Sequence, residues 1–252
     1  MINKQYKFWF ATGSQDLYGD ECLREVADHS KIIVENLNKS NKLPFEVILK
    51  PTLIDNKSIR ELFNAANADE NCAGVITWMH TFSPAKSWIL GLQEYRKPLL
   101  HLHTQFNEAI PYDTIDMDFM NTNQSAHGDR EFGHIVSRMG IERKVIVGHW
   151  ADEDVQERIA SWMRTAIGVI ESSHIRVLRV GDNMRNVAVT EGDKVEAHIK
   201  FGWEIDSYNI TDIAEYVQAV SKEDIDALVE EYYNTYDLIY DERDEEEFRK
   251  HV

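Results

Sequence analysis

The sequence predicts an α/β fold with a doubly wound parallel sheet, and three observations carry that prediction. Short apolar runs alternate with longer amphipathic segments from Tyr6 to Glu171. The connections are long enough for helical crossovers, which parallel strands require. Runs such as Val145–Val147 are continuously apolar, as strands buried on both faces are.

Each element follows in order. Tyr6–Thr12 reads as the first strand, and Cys22–Asn38 as a helix with Val26, Ile33, Val34 and Leu37 on one stripe. Phe45–Leu49 is a second strand, and Ser58 is placed as the N-cap of a helix carrying Ile59, Leu62 and Phe63. Ala73–Met79 is a third strand, followed by a helix over Pro84–Tyr95 with proline in its first turn. Pro98–His103 is a fourth strand, Asn123–Met139 a helix and Lys144–Gly148 a fifth strand. The helix Asp152–Glu171 places Val155, Ile159, Trp162, Met163, Ala166 and Ile170 at helical spacing. These elements make one α/β domain over residues 1–172.

Residues 173–252 read as the beginning of a second α/β domain, too thin to stand as one of its own. It has a strand at Ile175–Val180, the loop Gly181–Arg185, a hairpin-like stretch over Val187–Ile199, and helices at Asp212–Val220 and Lys222–Asn234. Phe248–Val252 looks like the opening turns of another helix, so the domain is expected to be truncated.

Composition excludes several function classes. An apolar content of 43 % is that of a folded chain, not a disordered one. The 27 Lys and Arg against 44 Asp and Glu give a net charge of −17, which repels phosphate backbones and anionic membrane surfaces. Neither nucleic acid nor a membrane is therefore an expected partner. The acidic run Asp241–Glu247 reads as a solvated helix face, because it lacks the spaced loop of a calcium site. Cys22 and Cys72 are placed in separate helical or turn regions and make neither a disulfide scaffold nor a zinc pair. Met1–Lys7 has no signal-peptide apolar region, and no run approaches the roughly 18 to 20 apolar residues of a membrane span. Cytoplasm is the expected compartment.

Parallel sheets collect functional groups at the carboxyl ends of their strands. That rule points to Gly13–Gly19, Trp78–Ser83 and His103–Asn107. The first loop matches neither G-x-G-x-x-G nor G-x-x-x-x-G-K-[ST], since Gln15, Leu17 and Tyr18 stand where a pyrophosphate needs close backbone approach. It suits a polyhydroxylated ligand, or it is a simple structured turn. His101 and His103 share a strand face, which fits metal ligation or a hydrogen-bonded core or rim position. His127, Glu131 and His134 share a helix face, as metal ligands, a polar site wall or an exposed surface. There is no G-x-S-x-G elbow and no flanking signature of a nucleophilic cysteine. Trp78, Phe82 and Trp88 divide between core and pocket.

Long uncommon strings occur in order along most of the chain. They are Phe8–Phe10 running into Gly13–Gly19, Trp78–Lys86, Pro98–Asn107, Ile115–Asn121, Ala126–Gly133, Gly148–Trp150 and Gly181–Arg185 with Val187–Val195. In these strings the chain resembles the L-arabinose isomerase family; Asp16 is a small departure, where family members often carry histidine. The resemblance implies a Rossmann/flavodoxin-like first domain of the fucose isomerase type and interconversion of L-arabinose with L-ribulose, in many members also D-galactose with D-tagatose. It further implies a divalent ion, typically Mn²⁺, proton transfer through a cis-enediol, and assembly into trimers and hexamers. Gln15, Leu17, Tyr18, Phe82, Gln124, His127 and Met184 match substrate-lining positions, and Phe82, Gln124 and His127 are expected to reach a neighbouring subunit's site. His127 is the one auxiliary catalytic candidate. The family's metal ligands are expected beyond Val252, so no metal ligand is assigned here and the isolated chain is expected to be inactive. Two other readings stand beside this one: a non-catalytic sugar-binding or assembly module that needs a second half, and a short isomerase with an improvised metal site among His101, His103, His127, His134 and nearby carboxylates.

Overall fold

Cys72–Met79 is buried along its whole length, and the first of two compact units is built outward from it in the computed structural model, which describes residues 5–239 and 245–251. This unit, residues 1–172, runs β1 (Lys7–Gly13), α1 (Gly19–Lys39), β2 (Glu46–Leu49), α2 (Asn56–Ala68), β3 (Cys72–Met79), α3 (Ile89–Glu94), β4 (Leu99–His103), α4 (Met117–Thr122), α5 (Ser125–Arg138), β5 (Lys144–Val147) and α6 (Glu153–Ser172). The five strands are all parallel, in the order β2-β1-β3-β4-β5. Alternation along the strands sends Phe8, Phe10, Ile76, Trp78, Leu100 and Leu102 into one core with α1 and α6. Trp9, Ala11, Val75, Met79 and Leu99 enter the other, with α2, α3 and α5. The sheet is therefore doubly wound, and the strand order puts its switch point between β1 and β3.

Several local expectations change. Asp55, not Ser58, caps α2: its carboxylate accepts from the Ser58 N–H at 2.7 Å, and the Ser58 hydroxyl accepts from the Asp55 N–H in return. Pro84 precedes a tight 3-10 turn over Ala85–Trp88, and only then does α3 begin. The helix expected over Asn123–Met139 starts at Ser125, with α4 as a separate short helix capped by the Asp116 side chain. Cys72 lies in a strand rather than a helix or turn. Val145 and Val147 are 42 % and 55 % exposed, so β5 is not buried on both faces. It is an edge strand, with Ile146 under α6 and the opposite face bare.

The second unit, residues 173–252, contains β6 (Arg176–Val180), α7 (Lys194–Phe201), β7 (Glu204–Tyr208), α8 (Ile210–Ala219), α9 (Lys222–Thr235) and α10 (Glu245–His251). β6 and β7 are parallel and joined through α7, so the hairpin expected over Val187–Ile199 is replaced by a crossover. Asp193 caps α7, and Gly202 ends it in the left-handed region at φ 76°. Of the acidic run, Asp241–Asp244 lie outside the described residues, as does Val252. No described helix is long and apolar enough to cross a membrane.

Gly13 closes β1 at a point of tight packing. A Cβ there would stand 2.7 Å from Met79 Sδ and 2.8 Å from both Ser83 Oγ and the Trp88 ring. Gly13→Ala should destabilise the first unit by about 1–3 kcal/mol, read as a lower urea midpoint with unchanged slope.

Candidate functional site

The carboxyl ends of β1 and β3 are held together by small buried side chains. Ser14 and Thr81 hydroxyls bond at 2.8 Å, and the Ser14 N–H donates to Leu53 O at 2.9 Å. Trp88 Nε1 donates to Ser83 Oγ at 3.0 Å, fixing the loop after β3 from below. These bonds leave the His80 carbonyl free to receive the start of α5. It accepts from the Gln124 N–H at 3.0 Å and from Ser125 Oγ at 3.3 Å.

Four of the candidate residues meet on this frame. Gln124 Nε2 donates to Tyr18 Oη at 3.2 Å, joining the loop after β1 to the segment before α5. The His127 ring stacks on Phe82 with centroids 4.5 Å apart and planes at 27°. Gln15 is half-buried in the loop after β1. Leu17 stands 80 % exposed in the short turn Asp16–Tyr18. Met184 belongs to the second unit, where it is 64 % exposed in the loop after β6.

A cavity of about 740 Å³ opens beside this cluster, over the carboxyl ends of β4 and β5. Amides and imidazoles line it, from Gln105, Asn107, Gln124, His103, His127 and His149, with Glu108 and Arg130 as its charged members, against an apolar wall of Ile110, Ile115, Phe119 and Met120. Groups that both donate and accept, opposite an apolar wall, suit a neutral ligand with hydroxyls on one side and C–H groups on the other.

Three polar side chains beside the site were not singled out from the sequence. Asp129 is buried under the cavity, with Oδ1 2.7 Å from His101 Nε2 and Oδ2 3.5 Å from His103 Nε2. Its signal was a carboxylate on the buried stripe of α5, between Ser125 and Phe132. His80 and His29 pair ring to ring, Nε2 to Nδ1, at 2.8 Å, with His29 stacked on Phe106 and His80 on Trp78. Nothing in the spacing of His29 and His80 announces that pair. Burial pushes His80 down to about 3, helped by the neighbouring His29, so it stays neutral.

The metal readings find no support in the geometry. His101 is hydrogen-bonded to Asp129 Oδ1, His103 stands 3.5 Å from Oδ2 of the same carboxyl group, and the Glu131 carboxylate is engaged by the Ala85 N–H at 2.9 Å. Among the described residues no group of three or more His, Cys, Asp or Glu could hold a metal ion, so these side chains do not fit Mn²⁺.

A family model described as the L-arabinose isomerase N-terminal domain matches residues 2–174, and one described as its central domain matches residues 176–252. The chain belongs to the L-arabinose isomerase family. It is 58 % identical over 236 residues to an L-arabinose isomerase of Geobacillus thermodenitrificans, covering 94 % of this chain and 48 % of that one. Identity is 59 % over 235 residues with the enzyme of Halalkalibacterium halodurans, 93 % and 47 % of the two chains. With that of Geobacillus stearothermophilus it is 56 % over 249 residues, 99 % and 50 %. The chain thus spans about half the length of the curated relatives it matches. In this L-arabinose isomerase family member the cluster of Tyr18, Phe82, Gln124 and His127 sits at the switch point of the sheet.

The buried carboxyl group gives a pH signature. Burial raises Asp129 to about 8, partly offset by His103 and the Met79 N–H, and burial with the Arg143 charge lowers His101 to about 4. Between its ordinary 3.8 and about 8, folded Asp129 holds a proton that the unfolded chain releases. Its contribution to stability is complete below 3.8 and is lost as pH rises through about 8. His101 acts oppositely, contributing above 6.5 and losing its contribution as pH falls through about 4. Asp129→Asn cannot ionise, so its melting temperature should gain on wild type as pH rises from about 4 to about 8, by scanning calorimetry. A difference that stays flat over this range would show that Asp129 is ionised throughout.

Proposed function

We propose that this chain forms the sugar-lining and assembly part of an aldose–ketose isomerase acting on L-arabinose to give L-ribulose, with D-galactose to D-tagatose as a second reaction. The bond from Gln124 to Tyr18 is the observation that carries this reading. It joins two candidate substrate-lining residues far apart in sequence, at the end of the sheet where parallel folds bind ligands. Beside them the Phe82–His127 stack offers an apolar ring face for a sugar's C–H groups and an imidazole for its hydroxyls. Gln15 and Leu17 from the loop after β1 belong to the proposed lining, and Met184 is the second unit's own substrate-lining candidate. Residues 1–172 serve as the N-terminal domain and residues 173–252 as the beginning of the central domain.

The reaction moves a proton between C1 and C2 of an open-chain sugar. The divalent ion that the family resemblance implies would supply Lewis-acid polarisation of the sugar oxygens, and no step is assigned to a metal held by the described residues. The chain's own residues bind and orient the polyol, with His127 as the auxiliary candidate. Phe82, Gln124 and His127 act toward a neighbouring subunit of a trimer or hexamer, in the cytoplasm, without nucleic acid or membrane. The second reading, a sugar-binding or assembly module that is inactive alone, is favoured by the misfit between these side chains and a metal.

The purified chain with L-arabinose and Mn²⁺ should form no L-ribulose above buffer. Co-expressed with the second half of one of the Geobacillus enzymes, it should form a complex with turnover that chelation abolishes. His127→Ala should lower that turnover at least about tenfold, as loss of one oriented hydrogen-bonding group does. L-Ribulose from the chain alone would refute its inactivity, and a complex with no turnover would refute the isomerase reading.

A further inference from the structure

We infer that His103, held by the buried Asp129, is a sugar-binding residue that presents an uncharged Nδ1 acceptor to a ligand hydroxyl in the cavity over β4 and β5. This deepens the proposed function and rests on its sugar reading. Three observations carry it. His103 lines the cavity of about 740 Å³ together with Gln124 and His127, yet its side chain is only 32 % exposed. Its Nε2 points back to Asp129 Oδ2 at 3.5 Å, an oxygen that is buried and has no hydrogen-bond partner. Finally, the partner oxygen Oδ1 is committed to His101 at 2.7 Å, on a ring lying parallel to that of His103 at 4°.

The protons can be followed through the cluster. Burial holds Asp129 toward its protonated form, and in this assignment the proton sits on Oδ1 and is donated to His101 Nε2. Oδ2 is then a carbonyl-type acceptor, which His103 can meet only with Nε2–H. An ionised carboxylate would demand the same of His103, whereas a proton on Oδ2 would reverse the pair and leave Nδ1–H, the alternative that the tautomer measurement below decides. With Nε2 protonated, Nδ1 carries the ring's lone pair, and no hydrogen bond among the described residues engages it. His103 is paired through the sheet with Val147 in β5, whose exposed side chain lies on the same face and also lines the cavity. An apolar neighbour on one side and a fixed acceptor in the middle suit a hydroxyl donor.

Asp129 is a positioning residue in this arrangement and His103 touches the ligand. Asparagine can imitate the protonated aspartic acid, donating to His101 through its amide and accepting from His103 through its oxygen. Alanine can do neither. This sets apart a positioning role from a merely structural one.

The test uses the ¹⁵N-labelled 252-residue chain, reading imidazole tautomers from long-range ¹H–¹⁵N correlations and titrating L-arabinose. His103 is expected as the Nε2–H tautomer before sugar is added, and sugar should move the His103 and His127 ring signals together. His103→Gln and Asp129→Ala should each weaken L-arabinose binding about tenfold, while Asp129→Asn keeps both the tautomer and affinity within about twofold. If Asp129→Ala does not fold, the tautomer, His103→Gln and Asp129→Asn still decide. An Nδ1–H tautomer, a titration that moves His127 but not His103, or Asp129→Asn binding as weakly as His103→Gln overturns the inference and leaves the sugar reading standing. A titration that moves neither ring overturns both.

Discussion

Burial of β3 on both faces is the constraint from which the rest of the first unit follows. A strand enclosed along all its length must satisfy its backbone through neighbours on both sides, here β1 and β4, and must be covered by helices above and below. Covering both faces requires crossovers that leave the sheet in opposite directions, and the switch between those directions falls beside β3. The carbonyl of His80, the first residue past the strand, is then where α5 docks through Gln124 and Ser125. Core and site are therefore coupled: the strand that organises packing also aims the residues that line the cleft.

The same burial sets the site's electrostatics. His80, His101 and Asp129 are each surrounded by packed side chains, and desolvation is the first cause of the shift at all three. Each is held toward its neutral form. These three groups present hydrogen bonds of fixed direction without charge, although the cavity also carries Glu108 and Arg130 and the whole chain −17.

Much of the fold was legible because its signals are local and repeated. The stripes of α1 and α6, the apolar runs of β1, β3 and β4, and the lengths of the connections all express periodicities of the chain itself. The misreadings have equally local causes. The stretch Val187–Ile199 read as hairpin-like, yet Asp193 and Gly202 bracket a helix whose cap and stop decide its local structure. Val145–Val147 looked doubly buried because apolar residues alone do not say where a sheet ends. The helix α4 is one short stretch, held by the Asp116 cap and by Thr122 reaching Glu25, and the second of these bonds is long-range.

By itself the sequence determined the α/β class, most element positions, the loops that carry chemistry and the family resemblance, since each is encoded in neighbouring residues. Only the tertiary structure decided which loops meet. Gln124 finds Tyr18, His127 finds Phe82, and Asp129 finds His101 and His103 because a parallel sheet brings distant strand ends to one edge. It alone decided protonation as well, because desolvation depends on what surrounds a group in space and not on its neighbours in the chain.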